Sequence, residues 1–79
     1  MPKVVVYATK YCPYCQAAKQ LLKSKNVAFE EIDVTDDDAM RDKLEKMSGQ
    51  QTVPQIFVDG RSIGGYEELA AFFRSGKSL

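Results

Sequence analysis

The chain has 79 residues, 44% of them hydrophobic, with 11 basic and 11 acidic side chains and no net charge. That length fits one domain over residues 1–79 with a modest core, and the composition excludes a disordered chain. Balanced charge argues against nucleic acid or an anionic membrane as partner, and no apolar run approaches the ~18 residues of a membrane span.

Met1-Pro2-Lys3 leads straight into a strand pattern and shows no secretory signal, so a cytoplasmic location is expected, where thiols stay reduced. Val4 to Tyr7 is a β-branched apolar run that reads as a buried central strand. Pro13 suits the first position of a helix, because its missing N–H would be unpaired there in any case. Ala17, Leu21 and Leu22 form that helix's apolar face, and it should end near Lys25-Asn26. Ala28 to Val34 reads as a second strand. Thr35, three before Asp38, signals the cap of a second helix carrying Met40, Leu44 and Met47, with Gly49 as its stop. Gln55 to Val58 and Arg61 to Ile63 form a hairpin about Asp59-Gly60. After Gly64-Gly65, Tyr66 to Ser75 is a last helix, predicted to bury Leu69, Phe72 and Phe73. The order β-α-β-α-β-β-α predicts an α/β fold. A parallel βαβ unit joined to an antiparallel hairpin gives a mixed four-stranded sheet flanked by three helices.

The two cysteines of the chain stand at Cys12 and Cys15 in C-P-Y-C. In a reducing compartment, next to a strand-then-helix pattern, this spacing reads as a redox dithiol. With Pro13 opening the helix, Cys12 becomes its N-cap, where free backbone N–H groups and the positive end of the dipole favour a thiolate. Lys10 and Lys19 are candidates to add positive potential. Cys15, one turn on, lies on the same face but deeper. Cys12 is thus the expected nucleophile and Cys15 the resolving thiol, acting through a mixed disulfide. Tyr14 between them is a candidate groove residue. A zinc site would need ligands from another chain or from carboxylates, because the sequence has no histidine and no third cysteine. A purely structural disulfide across so short a loop gains little.

Two other segments carry chemistry. Pro54 forces Val53 toward an extended conformation, so Val53 can offer its backbone N–H and C=O to an extended peptide. Gly64-Gly65 before Tyr66-Glu67-Glu68 opens a helix whose free N–H groups suit a carboxylate. Glu67 and Glu68 also suit that helix end electrostatically, with no further role required.

Together, C-P-Y-C at 12–15, T-V-P-Q-I-F at 52–57 and G-G at 64–65 resemble the dithiol glutaredoxins in order and spacing, over essentially the whole chain. The resemblance implies a thioredoxin-like fold, a cis Pro54 and glutathione as co-substrate. It implies a glutathione-disulfide oxidoreductase that reduces protein disulfides and glutathione mixed disulfides. The glutathione contacts so implied are Lys10, Tyr14, Gln51, Thr52, Val53, Pro54, Gly65, Tyr66 and Glu67. The expected partners are glutathione and disulfide-bearing or glutathionylated proteins, with no metal, and the protein is expected to be a monomer. Thr9 stands where relatives commonly carry a base, with lysine one place later. Gln51 is neutral where many relatives are charged, and Glu67 replaces a common aspartate. Charge-assisted bonds are roughly twice as strong as neutral ones, so weaker glutathione binding is expected. The alternatives are a [2Fe–2S] carrier, with Cys12 of two chains and two glutathiones as ligands, and a redoxin fed by thioredoxin reductase.

Overall fold

A computed structural model describes residues 2–79. Its elements are β1 (Val4–Ala8), α1 (Pro13–Ser24), β2 (Glu30–Asp33), α2 (Asp38–Ser48), β3 (Gln55–Val58), β4 (Arg61–Gly64) and α3 (Tyr66–Arg74). The sheet order is β2-β1-β3-β4; β1 runs parallel to β2 and antiparallel to β3, and β3 pairs antiparallel with β4.

Alternation along β1 divides the core between the two faces of the sheet. Val4, Val6 and Ala8 are buried with Cys15, Ala18 and Leu22 of α1, Ile56 of β3 and Leu69 of α3. Val5 and Tyr7 point to the other face, against a smaller cluster of Val34, Leu44 and Phe57. There Tyr7 and Phe57 meet edge to face at 5.4 Å. Each fully buried Leu contributes roughly 1.5–3 kcal/mol. Leu22→Ala, at the centre of the larger cluster, would cost about 2–5 kcal/mol.

Local chemistry moves several boundaries away from the expected ones. The second strand begins at Glu30, not Ala28, because the ladder with β1 starts at the Val5–Glu30 pair. It is an edge strand, and Glu30, Glu31 and Asp33 keep that edge charged. Thr35 does not cap α2. Its hydroxyl donates to Asp33 and accepts from the Lys10 N–H at 2.9 Å, so Asp37 caps instead, accepting from Met40 N at 3.0 Å. The buried face of α1 is Cys15-Ala18-Leu22, while Ala17 and Leu21 are half-buried. Met47, near the end of α2, is exposed. Phe72 and Phe73 are half-buried, packed edge to face on one another, with the ammonium groups of Lys77 and Lys25 over their rings.

The hairpin turn follows its sequence. Asp59 and Gly60 both take positive φ, at 51° and 83°, the geometry an Asp-Gly turn supplies. Asp59 Oδ1 also accepts from the Lys3 N–H at 2.9 Å, tying the turn to the start of β1.

Candidate active site

The site forms where the N-terminus of α1, the α2–β3 loop and the N-terminus of α3 meet. Cys12 is the N-cap of α1, with extended backbone angles of −103° and 111°, and Pro13 follows as the first helical residue. The Cys15 N–H, which also donates to the Cys12 carbonyl at 3.1 Å, points at Cys12 Sγ from 3.4 Å. The Cys12 thiol in turn donates to the Val53 carbonyl at 3.6 Å. Both cysteines are free thiols; Cys12 is half-buried and Cys15 is buried.

Burial is the largest influence on Cys15 and pushes its thiol up to about 11. A backbone hydrogen bond at Thr9 acts in the opposite sense, and the neighbouring Cys12 adds to the rise. Cys15 therefore holds its proton at neutral pH. The geometry separates the pair into one thiol at the surface, facing a groove edge, and one protonated thiol behind it.

Beside Cys12 opens a cavity of about 340 Å³. One wall is Thr52, Val53 and Pro54; the other is Gly65, Tyr66, Glu67 and Glu68, with Tyr14 at the rim. The Val53–Pro54 peptide bond is cis. Tyr14 and Tyr66 stand 6.0 Å apart between ring centres, making an aromatic flank. Gly65 is required for the walls to meet this closely, since a Cβ there would sit 3.2 Å from the Pro54 carbonyl oxygen.

Seven of the residues expected to contact glutathione thus share one groove: Tyr14, Thr52, Val53, Pro54, Gly65, Tyr66 and Glu67. Lys10 and Gln51 are not among its walls. Lys10 is on the exposed turn after β1, its N–H bonded to Thr35. Gln51 turns its amide to Glu45 Oε1 at 2.9 Å and borders a separate polar concavity with Asp38, Arg41 and Asp42. Lys19 is paired with Glu31 at 2.7 Å, which commits its charge to β2.

One residue of the site, Gln55, escapes the sequence reading, while Glu68 serves the helix end as its place in the sequence suggests. Glu68 Oε1 accepts from the Gly65 N–H at 3.1 Å, so one donor of the helix end offered to an anion is already engaged. An acidic residue three positions after the cap, the Glu68 half of a capping box, is the signal in the sequence. Gln55, first residue of β3, is 1% exposed and uses its amide on the loop that carries Val53.

A family model described as glutaredoxin matches residues 4–63. Glutaredoxin 3 of Escherichia coli strain K12 is 45% identical over 76 residues, covering 96% of this chain and 92% of its own. A glutaredoxin of Pseudomonas aeruginosa is 46% identical over 77 residues, covering 98% and 92%. Among solved structures, a buckwheat glutaredoxin–glutathione complex superposes with a TM-score of 0.90 at 32% identity, over 96% of this chain and 72% of that one. Glutaredoxin 1 of Francisella tularensis complexed with cacodylate gives 0.80 at 38% identity, over 95% of each chain. The fold is thioredoxin-like, and a match that runs from β1 into β4, with relatives of this identity across nearly their full length, places the chain in the glutaredoxin family.

Proposed function

We propose that this protein is a glutathione-dependent thiol–disulfide oxidoreductase in which Cys12 attacks and Cys15 resolves. The observation that carries the reading is the placement of Cys12 Sγ, capped by the Cys15 N–H at the start of α1 and bordering the Val53 side of the groove. The buckwheat relative's complex with glutathione supports that ligand for this groove.

In the first step the Cys12 thiolate attacks one sulfur of a substrate disulfide. A Cys12–substrate disulfide forms, the substrate S–S bond breaks, and the departing thiolate takes a proton from solvent. When the attached group is glutathione, a second glutathione thiolate attacks its sulfur. Oxidised glutathione leaves and the Cys12 thiolate returns. When the attached group is a protein, Cys15 gives up its proton and attacks Cys12 Sγ. The protein thiol is released and a Cys12–Cys15 disulfide remains, which two glutathiones reduce in turn.

The residues of the groove have separate roles. Val53 offers its peptide group to the substrate backbone, with Thr52 and Pro54 beside it on the same wall. The free N–H groups at Tyr66 and Glu67 meet a carboxylate, the Glu67 side chain meets an amino group, and Tyr14 and Tyr66 cover the apolar part. Gln51 reaches the substrate only after its amide leaves Glu45, and Lys10 approaches from outside the groove walls. Disulfide-bearing and glutathionylated proteins are the natural partners, in a reducing cytoplasm, with the chain acting as a monomer and without a metal.

The test is turnover of a small glutathione mixed disulfide, with glutathione, glutathione reductase and NADPH, by wild type and Cys15→Ser. Activity in both supports transfer through Cys12 alone. No activity in wild type defeats the reading.

A further inference from the structure

The amide of Gln55 is an unusual group to find at this place in a core. It begins β3, opposite Tyr7 in the ladder. By strand alternation it shares a face with Phe57, toward the smaller apolar cluster. Its Nε2 spends both hydrogens on the loop before it, donating to the Gln50 carbonyl at 2.9 Å and to the Thr52 carbonyl at 3.0 Å. Its Oε1 is buried and accepts from no group among the described residues. An apolar side chain of the same length would fill this space without burying an unpaired acceptor of its own, so packing does not explain the amide.

We propose that Gln55 is a positioning residue for the thiol-exchange reaction, fixing the peptide group of Val53 between Cys12 and the groove. The inference rests on the catalytic reading above. The Thr52 carbonyl that Gln55 holds belongs to the residue just before Val53, whose own carbonyl accepts from Cys12 Sγ. On the far side, Gly65 leaves only 3.2 Å between its missing Cβ and the Pro54 oxygen. The strip Thr52-Val53-Pro54 is thus bonded to Gln55 at Thr52 and to Cys12 at Val53, with Gly65 closely facing the Pro54 oxygen. Gln50 and Thr52 are exposed, so without the amide their carbonyls turn to water and the strip loses its fixed orientation. The substrate's backbone, which pairs with Val53, would feel that loss. A reagent that carries no peptide group would not.

The experiment compares wild type, Gln55→Met and Gln55→Asn. Methionine keeps the length without donors; asparagine keeps the amide but is one carbon short of spanning both carbonyls. Two probes are used: turnover of a glutathione mixed disulfide, and the rate at which iodomethane, which has no amide, alkylates Cys12. The expected result for Gln55→Met is a KM about tenfold higher with kcat within about twofold. Tenfold is about 1.4 kcal/mol, the net worth of one or two ordinary hydrogen bonds. Alkylation should stay within about twofold, and Gln55→Asn should fall between. An unchanged KM overturns the proposal. So does equal loss toward both probes, or loss of the fold, either of which makes Gln55 a structural residue. Wild type without turnover defeats the catalytic reading itself, whereas active wild type with an unchanged Gln55→Met defeats only this inference.

Discussion

Cys12 and Val53, 41 positions apart in sequence, meet through a thiol-to-carbonyl contact of 3.6 Å that sets the sulfur against a residue of the groove wall. The contact exists only while Cys12 carries its hydrogen. Once Sγ is joined to a substrate sulfur, that donor is gone and the Val53 carbonyl is released. The freed acceptor lies beside the new disulfide, where a substrate backbone N–H can replace the thiol. In the proposed mechanism, attachment of the substrate at sulfur exposes the edge that is to orient it.

The first prediction separates the two cysteines. Cys12→Ser should lose all measurable turnover of protein disulfides and of glutathione mixed disulfides, because a serine hydroxyl supplies no thiolate. Cys15→Ser should keep glutathione removal and lose protein disulfide reduction, which needs a second thiol. Coupled NADPH oxidation with each substrate class measures both. Equal loss of the two activities in Cys15→Ser would sink the division of roles.

The second concerns alkaline stability of the reduced protein. The buried Cys15 thiol is raised from 9.0 to about 11. Between those values the unfolded chain has released this proton and the folded protein still holds it. Fewer protons on the unfolded state mean that stability falls as pH rises. The full contribution is present below about pH 9 and is lost on the way to about pH 11. The slope from this group is about 1.4 kcal/mol per pH unit. Urea midpoints of wild type and Cys15→Ala, taken from neutral pH upward, should diverge in slope above pH 9. Parallel curves would show that Cys15 does not carry the effect.

The fold was largely legible because its signals are local. The β-branched run at β1 and Pro13 each restrict the backbone by themselves, and Asp59-Gly60 and Gly64-Gly65 mark where it is free to turn. What the sequence concealed lies in competition among polar groups. Thr35 and Asp37 both suit a helix cap, and only the folded position of Lys10, whose N–H takes the Thr35 hydroxyl, decides between them. Gln51 has two credible destinations, the groove or Glu45, and no spacing rule ranks them. Gln55 reads as an ordinary strand residue until the loop it holds is seen in three dimensions.

A third prediction follows from Glu68. Its carboxylate occupies the Gly65 N–H and adds negative charge to the helix end that is to receive a substrate carboxylate. Glu68→Gln keeps a side-chain oxygen for that bond and removes the charge. KM for a glutathione mixed disulfide should drop roughly twofold to fivefold at low salt, since a charge at a helix terminus is worth about 0.3–1 kcal/mol. Added salt should erase the difference. A KM that rises on substitution would mean that Glu68 assists binding.

The last prediction sets Gly64 against Gly65. Gly64 has φ of +103°, and a Cβ there would lie 2.6–2.9 Å from the side chain of Glu68. The carboxylate end of that side chain can swing away, but the Glu68 Cβ at 2.9 Å and the backbone conformation cannot be relieved so easily. Gly64→Ala should therefore destabilise the fold by about 1–3 kcal/mol and displace the Glu68 bond to Gly65. Gly65 has an ordinary extended backbone, φ −104° and ψ −154°. Its Cβ would meet only the Pro54 oxygen at 3.2 Å, a contact that a shift of a few tenths of an ångström relieves. That shift moves the Pro54 wall of the groove. Gly65→Ala should leave the thermal midpoint within a few degrees of wild type and raise KM for the glutathione mixed disulfide several-fold. Thermal unfolding and steady-state kinetics on both variants decide the matter. If Gly65→Ala lost as much stability as Gly64→Ala, the close approach would be serving the fold and not the groove.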